Sequence, residues 1–512
     1  MQLRPRIGPA AHSGLPVRLT WRAGVQPRAR RTLPVAAAAA APTQPDEKLY
    51  TAKQPPAAWL GPVQAARYAG PTGRGLEAAR TMAGGELLLV SEPLALVEQA
   101  GGDDEDEAES RDSGGRDGAA GAATRPEARG GGEEGEEEEG AEEGGGGGGE
   151  GAAYVPTDAD VDAMVAQLQG RRDARAEGWL SALDDGTPER ASQLPDFRAL
   201  ASASSDPPPE GERADEDPDL WDPDLLADLV DLNYTCGRED GALSALRGAP
   251  QRDLVGLWPE AALLNHSCAP NTASLILEGR LLVRASRPVG KQVEVTTSYL
   301  AGPLLLAPLQ QRQAALRDAR GFACRCVRCR DEARQDPNLL QLVDDVIDAC
   351  GGLEADLADA VVAGREAEVA SIRDQLAAFI EVVDAAFNKL ALPQRSQIYI
   401  QASLFRLYEL AALATAAAGE EQPRLLELLA ALSGEVAPGG EEHVYWARRY
   451  RTIVEETEGD DGRLDGSLRQ ADQACFAAHV ARYGQLSRPL YRRLMQAAEL
   501  AEAGSEEEWE DE

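Results

Sequence analysis

Residues 264–271 read LNHSCAPN. The chain has four histidines and seven cysteines in 512 residues, yet here it sets one of each two positions apart, between two asparagines. Such a pair can be metal ligands, a catalytic couple or residues of a buried turn, and the deciding partner lies further on. Residues 321–330 read GFACRCVRCR, a C-x-C-x-x-C run of Cys324, Cys326 and Cys329 flanked by Arg325, Arg328 and Arg330. Three thiols in six residues beside guanidinium charge favour thiolates and a soft tetrahedral ion, above all Zn2+. A fourth ligand is needed. Cys268 is the expected one, with His266 as the alternative, and four thiolates with no open position would make a structural rather than a catalytic site.

The block around LNHSCAPN is β-rich. SLILEGRLLVRA (274–285) reads as a hairpin, two apolar strands around Glu278 and Gly279. Residues 57–100 carry further strand signals, including ELLLV, broken by Gly and Pro turns; these are expected to be short strands near a sheet edge. TDADVDAMVAQL (157–168) and LWDPDLLADLVDLNYTC (220–236) read as helices, the second running into an irregular stretch. From Pro337 the pattern is helical. Asp336 caps, Pro337 stands near the first helical position, and Leu339, Leu342, Val343, Val346, Ile347 and Cys350 share one face. Cys350, Cys475 and His479 fall on apolar helical faces as core residues, and His443 reads as a surface or inter-helix residue.

Composition bounds the rest. Lys and Arg total 51 against 87 Asp and Glu, a net charge of −36 that disfavours binding nucleic acid or an anionic membrane through charge. No apolar run approaches the ~18 residues of a membrane span. The cysteines are odd in number and absent from the first 235 residues, so they form no disulfide framework. Residues 1–45 hold seven arginines and no acid, and read as a transit peptide or disordered leader, His12 included; a chloroplast address is favoured over mitochondrion, cytoplasm or nucleus. Residues 101–150 hold 18 acids and 4 arginines among glycines, too polar to bury a core, and are expected to be disordered. The acidic segments could dock a basic partner.

GRGL (73–76), LLNHSCAPN (263–271), TTSYL (296–300) and GFACRCVRC (321–329), in that order, resemble the SET-domain protein-lysine methyltransferases, and most closely the SET- and MYND-domain group. The resemblance implies an α+β fold. A β-rich SET domain (57–330) would carry a knot-like crossing, the disordered insertion (101–153) and a post-SET four-cysteine zinc segment (321–330). A tetratricopeptide-like α-helical domain (337–503) and an acidic tail (504–512) would follow. It further implies that Arg74, Gly75, Leu76, Asn265, His266 and Phe322 contact S-adenosyl-L-methionine. Asn233, Tyr299 and Phe322 would line the substrate channel, with Tyr299 as the active-site tyrosine, and Cys268, Cys324, Cys326 and Cys329 would bind zinc. Asn233 corresponds to a short asparagine-containing strand of that family.

The implied activity is methyl transfer to a lysine ε-amine of a protein substrate by a monomer, without membrane or nucleic-acid contact. That amine is a cation at its reference pKa of about 10.4, so an apolar channel must favour its neutral form. An inactive SET-fold scaffold serving as an interaction module is the alternative, since fold alone does not fix function. The chain also departs from the group: residues 101–235 contain no cysteine, so the MYND finger that interrupts the domain elsewhere has no counterpart. Lys291 and Gln292 replace residues that are commonly acidic, on a turn.

Overall fold

The computed structural model describes residues 47–510 apart from 53, 69–72, 100–155, 172, 188–189, 191–192, 204–217 and 459–465. The leader and the acidic insertion therefore lie outside the described residues. Eleven strands are described: β1 (Trp59–Leu60), β2 (Val63–Arg67), β3 (Arg74–Ala78), β4 (Leu87–Ser91), β5 (Ala95–Glu98), β6 (Thr235–Arg238), β7 (Asp253–Leu257), β8 (Asn265–His266), β9 (Thr272–Leu277), β10 (Arg280–Ala285) and β11 (Glu294–Thr297). They form three small sheets, ordered β1-β4-β10-β9, β2-β3-β11-β8 and β5-β7-β6. Every pairing is antiparallel except β8 with β11.

The expected hairpin is β9 and β10, in register from Leu277 opposite Arg280 to Thr272 opposite Ala285. Its two-residue loop has positive φ at both Glu278 (51°) and Gly279 (69°), the backbone that matches the right-handed twist of the strands. Glu278 adopts that conformation without the freedom of glycine, and its carboxylate accepts from Arg247 Nη1 at 3.1 Å. The early strands are not all at an edge. β4 lies between β1 and β10, with Leu88, Leu89, Val90 and Ser91 buried, because ELLLV is apolar on consecutive positions and can be covered on both faces.

Around the sheets, helix Asp158–Arg171 packs against helix Pro223–Asn233 and β5. The core joins Leu76, Leu88, Leu89, Trp179, Leu229, Val255, Trp258 and Val295. After the cysteines come helices Pro337–Val362, Glu366–Leu390, Gln394–Ala402, Phe405–Ala417, Pro423–Val436, Glu441–Glu458, Gly466–Tyr483 and Arg488–Glu510. Asp336 caps the first as expected, accepting from Asn338 N at 2.8 Å. Two apolar runs of the helical region are each split. SQIYIQASLFRLYELAAL breaks at Ser403 and Leu404, where the Ser403 hydroxyl faces a buried Arg312, Arg328 and Glu332 cluster. The last run breaks at Gly484, whose φ of 82° ends a helix. The final helix continues through residues read as an acidic tail.

The helical half folds back onto the sheets. Tyr483, Leu490 and Leu494 share a core with Tyr50, Val90, Leu243, Leu275, Leu277 and Leu282. Asp240 caps helix Gly241–Arg247 through Leu243 N at 3.0 Å, and it also accepts from Arg482 Nε at 2.8 Å and from the Tyr483 hydroxyl. Among the described residues, no helix is long and apolar enough to cross a membrane.

Candidate active site and metal centre

The site begins where the chain passes twice beside β11. Pro259 opens a one-turn helix, Leu263 and Leu264 follow, and β8 then runs parallel to β11 with Asn265 opposite Thr296 and His266 opposite Thr297. Five residues later the same loop meets β11 again. Asn271 Nδ2 donates to Glu294 O at 2.8 Å, its Oδ1 accepts from Thr296 N at 2.9 Å, and the Thr272 hydroxyl donates to Thr296 O at 2.9 Å. The second asparagine of LNHSCAPN thus supplies with its side chain the donor and acceptor that a neighbouring strand would supply with its backbone. This is the crossing.

The first asparagine faces β3. Asn265 Nδ2 donates to Arg74 O and to Glu294 Oε1, both at 2.8 Å, and burial pushes the Glu294 carboxyl above its ordinary range. A Cβ on Gly75 would stand 2.4 Å from that nitrogen, so only glycine permits the approach. Arg74 is buried. Its Nη1 donates to Gln193 O at 3.3 Å while Nη2 has no partner, and burial lowers its pKa. A buried guanidinium with an unanswered donor is suited to an anionic group. Leu76 is fully enclosed in the hydrophobic core, so its side chain packs behind this wall.

His266, Tyr299 and Phe322 form an aromatic triangle. Ring centroids are 5.3 Å apart for His266 and Tyr299, 6.1 Å for His266 and Phe322, and 6.3 Å for Tyr299 and Phe322, the last edge to face. Tyr299 remains 41% exposed, but its hydroxyl turns inward to donate to Leu264 O at 2.7 Å, and burial there pushes its pKa up to about 12. Phe322 is presented by Gly321, which ends helix Leu309–Arg320 at a φ of 68°. Asn233 is held by backbone partners. The expected strand is the last turn of helix Pro223–Asn233, and Asn233 Nδ2 donates to Asp184 O at 2.7 Å and Leu229 O at 2.8 Å. Tyr234 N donates to Val230 O and closes the helix at Asn233, and β6 begins two residues later at Thr235. Asn271, Glu294 and Arg320 belong to the site and were not singled out in the sequence; only Asn271 sat within a quoted motif.

The sulfurs of Cys268, Cys324, Cys326 and Cys329 lie within 4.8 Å of one another. His266 is not in the set: its Nδ1 accepts from Tyr299 N at 3.0 Å, and its Nε2 lies 3.2 Å from Cys268 Sγ. Cys326 begins helix Val327–Glu332, and its sulfur accepts from Cys329 N at 3.5 Å. Hydrogen bonds from Cys268 and the other two thiols hold Cys326 low, while Cys268, donating, is held high. Behind the cluster, Arg328 Nε donates to Glu332 Oε1 at 2.7 Å, Arg328 Nη1 to Cys268 O at 3.3 Å, and Arg312 Nη2 to Glu332 Oε2. Four sulfurs with buried cations at their back fit Zn2+ in a closed, structural site.

Residues 73–300 match the SET domain family. The chain contains a SET domain. The match opens at the glycine before Arg74 and closes one residue after Tyr299, so strands β3 to β11 lie within it, while the cysteine run and the C-terminal helices lie beyond it. Curated relatives include SMYD-type proteins. The histone-lysine N-methyltransferase SMYD3 of Mus musculus is 40% identical over 78 residues, 15% of this chain and 18% of that protein. The histone-lysine N-methyltransferase ASHR1 of Arabidopsis thaliana is 38% identical over 98 residues, 19% of this chain and 18% of that protein. The N-lysine methyltransferase SMYD2 of Homo sapiens is 34% identical over 120 residues, 21% of this chain and 25% of that protein. The chain thus spans about a fifth to a quarter of the length of these relatives.

Proposed function

We propose that the protein is an S-adenosylmethionine-dependent protein-lysine N-methyltransferase with a structural zinc. The observation that carries this reading is the join of Arg74, Gly75 and Asn265 to His266 and Tyr299 along β8, with the unpartnered Nη2 of Arg74 beside it. The fit is chemical. Arg74 offers a cation for a carboxylate, Gly75 opens the backbone to close approach, and Asn265, His266 and Phe322 make a part-polar, part-aromatic wall for a nucleoside.

S-adenosylmethionine would supply the methyl group. Tyr299, fixed by its bond to Leu264 O, would orient the incoming amine, and its high pKa keeps it a neutral phenol at pH 7. Apolar walls from Phe322 and Tyr299 favour the neutral amine, the nucleophilic form. Zinc takes no part in the chemistry; it would pin the segment bearing Phe322 to the loop bearing His266. The substrate is proposed to be a protein with a target lysine in a basic context, matching the acidic balance of the chain. A plastid location, a monomeric state and docking of a basic partner on the acidic segments are proposed on the same terms as the sequence reading.

The test is titration of the purified chain with S-adenosylmethionine by calorimetry, with zinc measured on the same sample. Micromolar binding with one zinc per chain, followed by transfer of label into protein of a cell extract, supports an enzyme. One zinc with no cofactor binding at millimolar concentration would leave the scaffold reading.

A further inference from the structure

Arg320 ends helix Leu309–Arg320 with its guanidinium carbon 4.3 Å from the ring centroid of Tyr234 and 5.8 Å from that of Tyr299. Its Nη1 donates to Asp231 O at 2.9 Å and its Nη2 to Tyr234 O at 3.3 Å. Those two carbonyls close helix Pro223–Asn233, where the helix dipole presents its negative end. Two aromatic faces and a helix C-terminus together make a place built to hold a cation. The chain has put one of its own there.

We infer that Arg320 fills the cation-holding slot between Tyr234 and Tyr299, and that a lysine ammonium enters this slot only by displacing the guanidinium. The inference rests on the proposed role of Tyr299. Arg320 is held in the slot by more than the two rings. Its planar fork is anchored at two backbone oxygens that cannot rotate away. A second cation entering beside it would meet like charge at short range and compete for the same ring faces. Arg320 is therefore a specificity-determining residue: it sets a threshold that a substrate must overcome with contacts made outside the slot.

Butylammonium, the free equivalent of a lysine side chain, is the probe. The full zinc-loaded chain is labelled with fluorotyrosine and titrated with butylammonium by fluorine NMR, with Tyr234→Phe and Tyr299→Phe assigning the two signals. In the wild-type chain the signals should barely move. In Arg320→Gln both should shift, with affinity raised about ten-fold or more, while Arg320→Lys, which keeps a cation, should stay near wild type. Arg320→Ala removes the guanidinium together with its anchors at Asp231 O and Tyr234 O and is a second route to the same opening, read at both rings. Equal butylammonium affinity in wild type, Arg320→Gln and Arg320→Ala would overturn the inference. Calorimetry with S-adenosylmethionine on the wild-type chain separates the two readings: absent cofactor binding with an opened slot sinks the methyltransferase and keeps the slot, and the converse result does the reverse.

Discussion

The backbone N–H of Tyr299 donates to Nδ1 of His266 at 3.0 Å, and that bond decides where the imidazole keeps its proton. Burial pushes the His266 pKa down to about 4, so the ring is neutral at pH 7 and must carry its hydrogen on Nε2, 3.2 Å from Cys268 Sγ. One ring thus joins the main chain of the candidate active-site tyrosine to a sulfur of the metal cluster. His266→Phe keeps an aromatic ring against Tyr299 and Phe322 but deletes both bonds. Zinc affinity should fall about 10- to 100-fold, read by competition with a chromophoric chelator. An unchanged affinity would show that the sulfur does not use this donor.

Gly75 tests the cofactor wall. In Gly75→Ala the new methyl would force the Asn265 amide off Arg74 O and Glu294, with a cost of about 1–3 kcal/mol in denaturant unfolding and cofactor binding weakened at least about ten-fold. Gly84→Ala is the control. Its nearest neighbour would be 3.5 Å from the added Cβ, so it should behave as wild type in both measurements.

Glu332 sits between two guanidinium groups with no exposure to solvent, those of Arg312 and Arg328. Removing its charge in Glu332→Gln leaves two buried cations facing each other, and about 3–5 kcal/mol of stability should be lost in chemical denaturation. The exposed Arg365 and Glu368 pair offers the contrast: Glu368→Gln should cost no more than about 1 kcal/mol.

His479 sets an acid limit. It is enclosed against Tyr483 and Tyr491, its Nδ1–H donates to Cys475 O at 2.8 Å, and burial pushes its pKa down to about 4, with Arg448 and Arg482 adding to the effect and Asp240 opposing it. An unfolded histidine titrates near 6.5, so between these values the unfolded chain takes up a proton that the folded chain refuses. Stability from this group is whole above about pH 6.5 and declines as pH falls toward 4, by roughly 3 kcal/mol in all. Unfolding midpoints measured across that range should show a steep slope in wild type and a shallower one in His479→Gln, because His266 and His443, also pushed down to about 4 by burial, keep their shares.

Much of the site was legible because its constraints are local in sequence. The hairpin showed itself in alternating apolar runs around Glu278 and Gly279, and the cysteines could be grouped because thiols at that spacing have few other uses. For Asn233 the two readings diverged: the apolar pattern of LWDPDLLADLVDLNYTC pointed to a helix, as found, while the strand came only from the family resemblance. Arg320 was invisible for another reason. Its two rings and two carbonyls come from residues 231–234 and 299, and nothing in an isolated arginine before a glycine announces partners that distant. The split helices followed from the same cause, since Ser403 is chosen by a cluster 70 to 90 residues earlier and not by its neighbours.

Asp240 takes its counter-ion from Arg482, 242 positions downstream. A chain severed after the cysteines would keep every residue of the candidate active site and still strand a buried carboxylate that caps helix Gly241–Arg247. The last quarter of the sequence is therefore not a detachable appendage. Synthesis of the chain must pass Arg482 before the first half is electrically complete, and trimming it to a minimal catalytic fragment would remove part of its foundation.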